Sequence, residues 1–268
     1  MRRVMARKQF VEIINVGNEL LDGRTVNTNL NWMCGRLTEL GYIVSRATVV
    51  RDDINQIVSV LKEAMRRKPR WILISGGLGP THDDKTLQAV GKATGRRLRL
   101  YPEVVEKMLK RYQELASQGI IKDPTLTKER LKMARLPQGS QPLENRVGTA
   151  VGVLLEHKNV RIVCLPGVPK ELMDIFDNQI KPLLVRESGG KSFVIRSITV
   201  EGLVESRMAP LLVDTMRKFS GVYVKSNPKG VEKVSIVEVD FIAEMKDESK
   251  LLQAMEYFRE RLAQLAET

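Results

Sequence analysis

The feature that most constrains this chain is the alternation of short apolar runs with amphipathic segments through its first two-thirds. Apolar runs at Phe10 to Val16, Tyr42 to Val50 and Trp71 to Ser75 have the length of strands. Between them lie segments with apolar residues at helical spacing, one beginning near Thr28 and one capped by Asp53. This order is typical of a mostly parallel sheet covered by helices, and it predicts a three-layer α/β/α domain.

The middle of the chain adds a hairpin and an insertion. Apolar runs at Ala150 to Glu156 and Val160 to Leu165, joined by a short turn, predict a β-hairpin within the same sheet. The segment from Pro102 to about Ala134 is predicted to be a helical insertion, and residues 137–145 an irregular loop. A further helix is expected to begin near Pro169, because proline is favoured in the first turn of a helix.

A change of pattern divides the chain into two predicted domains. The polar, glycine-bearing segment Glu187 to Lys191 predicts a linker. After it the order becomes strand, helix, strand, strand and helix, with strands at Phe193 to Val200, Gly221 to Lys225 and Val234 to Ile242. We therefore predict a domain over residues 1–187 and a small α+β domain of βαββα order over residues 192–268.

Composition excludes several classes of protein. No apolar run approaches the roughly 20 residues of a membrane span. The basic segment Met1 to Lys8 leads into a strand rather than into the apolar region of a signal peptide, so we predict a cytoplasmic protein. The net charge of +12 would suit an anionic partner, but lysine and arginine are spread over most predicted helices, which indicates a solvated surface. Neither nucleic acid nor a membrane is an expected partner.

The glycine-rich segment between Ser75 and Thr86 is the sharpest functional signal. It lies between a buried strand and a helix predicted over about Asp83 to Thr94. Glycines let a backbone turn tightly and aim its N–H groups at an anion, and the helix dipole favours negative charge there. Its spacing differs from the dinucleotide fingerprint and from the Walker loop. The predicted phosphate-binding residues of this loop are Gly76, Gly77, Gly79, Pro80, Thr81 and Thr86.

Two carboxylates in the same loop point to a cation. Asp83 and Asp84 would repel a phosphate unless a cation or a hydroxyl lay between them. Oxygen ligands together with substrate phosphate suit Mg²⁺ and related ions, so both residues are candidate metal ligands. The alternative is that one of them caps the helix. The two histidines, His82 and His157, are too far apart for a recognisable metal motif.

Further loops are expected at the same place. In open α/β sheets, ligands bind outside the carboxyl ends of the strands, so loops that follow different strands define one site. A third loop precedes a strand of the predicted hairpin and could join the site if that strand runs antiparallel, although it could also be a plain turn. The candidates from these loops are Gly17, Asn18 and Glu19, then Pro166, Gly167 and Glu171, and then Asn145, Gly148 and Thr149.

Taken in order, these motifs resemble the CinA-type competence/damage-inducible family, which belongs to the molybdopterin-binding (MoaB/MogA-like) domains. The resemblance covers about residues 9–186 and extends to Asn27-Thr28-Asn29 and Val50-Arg51-Asp52-Asp53. It implies a homo-oligomer, a dimer or trimer, and a small-molecule nucleotide substrate, ADP-ribose or FAD. It also implies a divalent metal ion (Mg²⁺, Co²⁺, Ni²⁺ or Mn²⁺), often with potassium. The tail is similar to the KH-type domain that follows in CinA proteins.

Two departures shape the predicted function. The chain ends where the amidohydrolase domain of full-length CinA proteins begins, so deamidation of nicotinamide mononucleotide is not expected. Its loop has the sequence Gly-Gly-Leu-Gly-Pro-Thr, whereas the family members that adenylylate molybdopterin typically have Gly-Gly-Thr-Gly at this place. We therefore predict a metal-dependent nucleotide pyrophosphatase. A molybdopterin-binding or adenylylating protein of molybdenum cofactor biosynthesis and a non-catalytic nucleotide-binding module remain alternatives.

Each predicted role belongs to a named residue. The amides of Gly76, Gly77 and Gly79 would hold one phosphate, and Asp83 or Asp84 would position the metal. Asp52, at the end of the second strand, would orient the attacking water. Asn29 is a further candidate for binding the nucleotide.

Overall fold

The computed structural model describes residues 10–189, 192–231 and 235–266. The basic segment Met1 to Lys8, the last two residues of the predicted linker and Val234 lie outside these ranges. Backbone contacts group the chain into two compact units, which divide between Glu187 and Ser188, except that the short segment Glu39–Gly41 groups with the second unit. Among the described helices, none combines the length and the apolar character needed to cross a membrane.

A six-stranded sheet forms the centre of the larger unit, with spatial order β2-β1-β3-β8-β7-β6. Strands β2, β1, β3 and β8 are parallel, and β7 and β6 pair antiparallel at one side. The predicted hairpin is confirmed, because β7 and β8 are joined by the two-residue turn Lys158-Asn159. The strands of this unit are β1 (Phe10–Val16), β2 (Ile43–Val50), β3 (Trp71–Ser75), β4 (Leu98–Leu100), β5 (Arg135–Pro137), β6 (Gln141–Leu143), β7 (Gly152–His157) and β8 (Val160–Leu165).

Helices cover both faces of this sheet, as the near-continuous apolar strands require. Ile72 and Ile74 belong to one apolar cluster, while Leu73, which points to the opposite face, is also fully buried. The predicted three-layer α/β fold is therefore confirmed. The helices are α1 (Asn18–Leu21), α2 (Thr28–Glu39), α3 (Ile54–Arg67), α4 (Thr86–Thr94), α5 (Pro102–Ser117), α6 (Lys128–Lys132), α7 (Pro169–Ile175) and α8 (Lys181–Ser188), with a π-helical turn, Phe176–Ile180, between the last two.

Local signals explain how α3 begins and ends. The Asp53 carboxylate accepts hydrogen bonds from the amides of Asn55 and Gln56, at 3.0 and 2.9 Å, and so caps the first turn. The helix buries Ile57 and Leu61 on one face. It ends at Lys68, which adopts a left-handed conformation with φ 57° in the position where glycine is usual.

The predicted insertion differs most from the structure. Helix α5 ends at Ser117 and the chain continues without regular structure to α6, because Gly119 takes a left-handed conformation with φ 72° that terminates the helix. The predicted irregular loop at 137–145 contains β6, which pairs with β7 at the sheet edge, where a proline such as Pro142 is tolerated. Strands β4 and β5, which were not predicted, pair in a small antiparallel sheet of their own.

The smaller unit has the predicted βαββα order. Its three-stranded antiparallel sheet has the order β10-β11-β9. Val237, Val239 and Phe241 alternate along one strand and are buried against the helices. Its elements are β9 (Phe193–Glu201), α9 (Glu205–Lys218), β10 (Tyr223–Val231), β11 (Ser235–Glu244), a 3₁₀ turn (Met245–Asp247) and α10 (Glu248–Ala266).

Candidate functional site

The loops that follow β1 and β2 are joined by short hydrogen bonds. The amide of Gly17 donates to the carbonyl oxygen of Val50 at 3.1 Å. The amide of Asn18 donates to the Asp52 carboxylate at 2.8 Å. Asp52, predicted from its position at the end of β2, is therefore held against the loop that carries Asn18 and Glu19.

The loops after β3 and β8 meet at Gly76 and Gly167. Gly76 has φ 100°, and a Cβ atom there would overlap the carbonyl oxygen of Val16. A Cβ atom on Gly167 would lie 3.5 Å from the Cα of Gly76. The side-chain amide of Asn29 donates to the carbonyl oxygen of Gly167 at 2.7 Å. Close backbone approach, which only glycine permits at Gly76, thus gathers the loops of four parallel strands at one edge.

The roles of several predicted binding residues change. The amide of Gly76 donates to the carbonyl oxygen of Leu165 at 3.0 Å, so it is already paired, and a phosphate there would have to replace this hydrogen bond. The Thr86 side chain is fully buried and its hydroxyl donates to the carbonyl oxygen of Gly76 at 2.7 Å, so it fixes the loop rather than touching a ligand. Gly17 and Pro166 are also buried and shape their loops.

The remaining candidates are accessible. Within the described residues, the amides of Gly77 and Gly79 have no hydrogen-bond partner. The other candidates from the strand-end loops are half-buried or exposed, namely Asn18, Glu19, Asn29, Asp52, Pro80, Thr81, Asp83, Asp84, Gly167 and Glu171.

The two loop aspartates converge on one hydroxyl group. Thr81 Oγ1 lies within hydrogen-bond distance of Asp83 Oδ1, and it lies 2.6 Å from Asp84 Oδ2. A hydroxyl carries a single proton, so it can donate to only one of them at a time. The Asp84 carboxylate also accepts from the Thr81 amide at 2.8 Å. This fold-back holds residues 81–84 in a turn, and α4 consequently begins at Thr86 rather than at Asp83.

Electrostatics link these aspartates to Asp52. Hydrogen bonding from Thr81, followed by the loop backbone, lowers the pKa of Asp83, which keeps it ionised. Burial raises the pKa of Asp52, and the charges of Glu19, Asp83 and Asp84 raise it further, whereas the hydrogen bond from Asn18 lowers it. Mutual influence of this kind requires that the four carboxylates lie near one another.

This set of donors fits a hard divalent cation. Among the described residues there is no group of three or more histidine, cysteine or acidic side chains already arranged around a metal position. Two carboxylates that compete for one hydroxyl proton carry more negative charge than one nearby lysine, Lys132, can neutralise, and a cation would neutralise the rest. Mg²⁺ usually binds through one or two carboxylates plus substrate phosphate and water, so a complete protein cage is not required.

Lys132 is a functional candidate that the sequence did not indicate. Its ammonium group donates to the carbonyl oxygen of Thr81. Burial lowers the pKa of Lys132, while the nearby Asp84 and Asp83 raise it. The residue lies 46 positions after Thr86 on the short helix α6, and no local motif marks it. It also lines a cavity of about 40 Å³ behind Gly77 and Gly79.

A second group forms around Glu171, in the first turn of α7. The side-chain amide of Asn145 donates to Glu171 Oε2 at 2.6 Å and to the carbonyl oxygen of Ala150 at 2.8 Å. The Asn145 side-chain oxygen accepts from the amide of Gly148 at 2.7 Å. A Cβ atom on Gly148 would overlap the Glu171 carboxylate, so a side chain there would displace that carboxylate from its present position. Burial raises the pKa of Glu171, and the hydrogen bond from Asn145 opposes that rise.

A cavity of about 500 Å³ lies beside this second group. It lies between α5 and the loop that carries Asn145, Gly148 and Thr149. Four cationic side chains line it, which the sequence interpretation of α5 as an insertion did not indicate. They are Lys107, Lys110, Arg111 and Arg146.

Two polar side chains lie beneath the glycine-rich loop. Asn15 and Ser75 are paired in register at the ends of β1 and β3, and the Asn15 side-chain amide donates to Ser75 Oγ at 2.7 Å. Both are buried, and Asn15 Oδ1 has no partner among the described residues. In the sequence, Asn15 and Ser75 could have been recognised as polar residues at the ends of two apolar strands.

An open α/β sheet with glycine-rich loops and acidic side chains at its carboxyl edge defines the chain as an α/β protein with a ligand site at the strand ends. Residues 12–186 match the family described as "Probable molybdopterin binding domain", so the chain belongs to that family. It is 41% identical to a protein of Thermococcus kodakarensis over 258 residues, 96% of this chain and 99% of the relative. It is 42% identical to a protein of Pyrococcus abyssi over 250 residues, 93% of this chain and 96% of the relative.

A solved structure supports the CinA-like assignment. The chain resembles the protein CinA of Thermoplasma acidophilum, described as of unknown function, with 37% identity and a TM-score of 0.59. The match covers 65% of this chain and 98% of that one. The predicted resemblance to CinA-like, molybdopterin-binding proteins is thereby confirmed for the larger unit.

Proposed function

We propose that the protein is a metal-dependent nucleotide pyrophosphatase that acts on ADP-ribose or a similar adenosine diphosphate-linked nucleotide such as FAD. One observation carries the proposal. The amides of Gly77 and Gly79, which have no partner in the described part of the chain, lie in the same loop as two carboxylates that compete for one hydroxyl proton. An anion-binding backbone beside two carboxylates, whose charge Lys132 offsets only in part, matches what a metal-bound diphosphate requires.

The loop amides and the first turn of α4 would bind one phosphate. The amide of Thr86 donates to the carbonyl oxygen of Gly77 at 3.2 Å, which holds the glycine loop against the N-terminus of α4, where the helix dipole adds a field favourable to an anion. Lys132 holds the carbonyl of Thr81 and thereby fixes the loop that carries these amides. Its positive charge also lies close enough to Asp83 and Asp84 to limit their repulsion of the substrate.

The carboxylates would have distinct tasks. Asp83 and Asp84 would hold the cation, which when bound neutralises charge on the diphosphate and lowers the pKa of water. Asp52 has a raised pKa and lies against the loop of Asn18, so it would accept a proton from the attacking water and orient it. Proton transfer of this kind contributes roughly 10²- to 10⁴-fold to rate.

The cavity beside α5 would accommodate the part of the nucleotide beyond the reacting phosphate. Its volume of about 500 Å³ lies within the range of small-molecule sites. Asn145, Gly148 and Thr149 line it and were predicted to bind the nucleotide. Each of its four cations is paired with a carboxylate, so the lining offers hydrogen-bond donors and acceptors rather than unpaired charge, which would favour a hydroxyl-rich group.

The test is hydrolysis of ADP-ribose, FAD and NAD with Mg²⁺, Mn²⁺, Co²⁺ or Ni²⁺, each with and without potassium. We expect turnover of at least one diphosphate that requires a metal, and a loss of about 10³-fold in kcat/KM for Asp84→Ala, equivalent to about 4 kcal/mol. Asp123→Ala removes an equivalent exposed carboxylate outside the site and should retain activity. Full activity in Asp84→Ala would refute the assignment of the metal site.

The family assignment favours a second candidate function, binding and adenylylation of molybdopterin. Its test is ATP-dependent transfer of AMP to molybdopterin by the purified protein. Turnover of molybdopterin without hydrolysis of any diphosphate would select this function over the first. Saturable nucleotide binding with neither reaction would instead select the non-catalytic module.

The remaining predictions are also part of the proposal. We propose that the protein assembles as a dimer or trimer, resides in the cytoplasm, and carries a KH-type domain in its smaller unit. Light scattering of the purified protein would test the assembly. The domain ranges 1–187 and 192–268 are tested by expressing the two segments separately and measuring cooperative unfolding of each.

A further inference from the structure

A basic concavity lies at the edge of the sheet opposite the candidate site. It occupies about 360 Å³ beside the end of α3 and the turn between β7 and β8. These segments lead into the amino ends of β3 and β8, whereas the glycine-rich loop and the loop of Gly167 follow the carboxyl ends of the same strands. The two sites are therefore separated by the length of the sheet.

Four cations line this concavity, and we call them the basic cluster: Lys62, Arg66, Lys68 and Lys158. Within the described residues, none of the four has a carboxylate partner. The adjacent Arg67 behaves differently, because it forms a bidentate pair with Glu12 at 2.7 Å and 2.7 Å. The cluster thus holds uncompensated positive charge in a concave surface.

Backbone conformation singles out two members of the basic cluster. The described residues other than glycine with a positive φ are Lys68, Lys158 and Asn159, with φ 57°, 48° and 67°. Lys68 stands at a helix end where glycine is favoured, and Lys158 stands in a two-residue hairpin turn that favours asparagine or glycine. Lysine is unfavourable at both positions, yet both lysines line the same concavity. Strain of this kind is typical of functional positions.

Helix dipoles explain only part of this charge. A helix C-terminus carries about half a negative charge, which Arg66 and Lys68 complement at the end of α3. Lys62 lies more than one turn before that end, and Lys158 lies in a turn outside any helix. Four full positive charges exceed the partial charge of the helix end.

The other walls of the concavity are apolar. Met65 and Ala93 are half-buried there, and Val160 is buried. His157 lies beside them, and its pKa is lowered by burial and by the charges of Lys158 and Arg96. A ligand of the concavity would therefore contact both cations and an apolar surface.

We propose that the basic cluster is a second binding site, distinct from the candidate active site, for a small phosphate ester. Its phosphoryl group contacts Lys68 and Lys158, and its apolar or aromatic part lies on Met65, Ala93 and Val160. The volume is that of a small-molecule site of modest size. The proposal does not depend on the reaction at the opposite edge.

The two histidines provide separate reporters for a binding experiment. His157 lines the concavity, whereas the His82 side chain is 94% exposed in the glycine-rich loop. Their imidazole resonances are followed by NMR as pyrophosphate, inorganic phosphate or AMP is added in 0.15 M NaCl with EDTA. A His157→Gln variant assigns the two signals. We expect a saturable shift of the His157 signal, with AMP binding more tightly than inorganic phosphate.

Variants of the basic cluster distinguish specific binding of the anion from non-specific attraction by the net positive charge of the protein. Lys68→Gly/Lys158→Gly removes two charges and relieves two strained conformations, so it should fold and keep or raise its Tm while binding AMP at least tenfold more weakly. Lys122→Gln/Lys128→Gln removes the same charge from exposed positions and should bind as the parent does.

Several results would overturn the proposal, and three concern the binding curves. They are a His157 shift that grows linearly without saturation, equal affinity in the glycine variant, and equal weakening in the control variant. Movement of the His82 signal alone would place the anion at the opposite edge, also against the proposal. Equal affinity for AMP and inorganic phosphate would overturn the role of the apolar surface.

Discussion

The two edges of the larger unit's sheet meet the same backbone requirement with different residues. At the carboxyl edge, left-handed conformations are occupied by Gly76 and Gly77, with φ 100° and 66°. At the amino edge they are occupied by Lys68 and Lys158. At the carboxyl edge, side chains are excluded by neighbouring atoms, since a Cβ atom on Gly76 would overlap the Val16 carbonyl oxygen. At the amino edge a side chain is sterically possible, so a charge can be placed there despite the strain.

The two edges also differ in the sign of the charge that they carry. The carboxyl edge gathers Glu19, Asp52, Asp83 and Asp84 and needs a cation before an anionic substrate can approach. The amino edge gathers cations and could take an anion directly. The chain has a net charge of +12, yet acidic side chains cluster at its candidate active site. The net charge alone does not show this local cluster.

Gly76→Ala should have the largest effect on stability. The new methyl group meets the Val16 carbonyl in a conformation that already disfavours a side chain, so we expect a loss of about 3 kcal/mol or more in the free energy of unfolding. Gly23→Ala is the matched control, because Gly23 has φ 71° but no atom within 4 Å of an added Cβ. It should lose only about 1 kcal/mol. Equal losses in urea denaturation would show that steric exclusion is not what distinguishes the carboxyl edge.

The position of the site could be predicted from the sequence, because glycine is required where neighbouring atoms leave no room for a side chain. Glycines after a buried strand and polar loops after neighbouring strands share one edge by topology, and the structure brings Asn18, Asp52 and Gly167 to it. The availability of each amide could not be predicted, because the amide of Gly76 bonds to Leu165, which lies 89 positions later in the chain. Lys132 was missed for the same reason.

The fold followed the sequence wherever periodicity was strong. The strands β1 and β3 and the hairpin of β7 and β8 match their predicted runs closely, since both faces of these strands are largely buried. The edge strand β2 also matches, although most of its residues are exposed or half-buried. The segment after Ser117 was predicted wrongly because one glycine, Gly119, ends the helix in a chain that otherwise reads as helical. Short strands such as β4 depend on a distant partner and carry little local signal.

Arg67→Met tests whether the ion-paired arginine at the amino edge stabilises the fold more than the cations of the basic cluster do. Removing Arg67 leaves the buried Glu12 carboxylate, 5% exposed, without its bidentate partner. We expect a loss of about 2 kcal/mol in the free energy of unfolding, less than for a fully buried pair because Arg67 is 33% exposed. Arg66→Met removes an adjacent unpaired charge and should change stability by less than about 0.5 kcal/mol. A similar loss in both variants would contradict the distinction between the paired residue and the basic cluster.

Lys68→Gly should stabilise the protein. Glycine adopts the left-handed conformation without a steric cost, so we expect a gain of about 1 kcal/mol in phosphate-free buffer, measured by urea denaturation. Lys68→Ala removes the same charge but retains a Cβ atom in that conformation, and it should show no such gain. If alanine stabilised the protein as much as glycine, charge repulsion rather than backbone strain would account for the effect.

The smallest expected effect concerns the pH dependence at the carboxyl edge. The ionised form of Asp52 is the one that accepts a proton, so kcat/KM should rise with pH through the Asp52 pKa, which burial and neighbouring acids raise. Glu19→Gln removes one of these negative charges and lowers the Asp52 pKa. The acid limb of the profile should therefore move to lower pH by a few tenths of a unit. Glu63→Gln, an exposed change on α3, should leave the limb in place, and an upward shift in Glu19→Gln would disprove the electrostatic coupling among the four carboxylates.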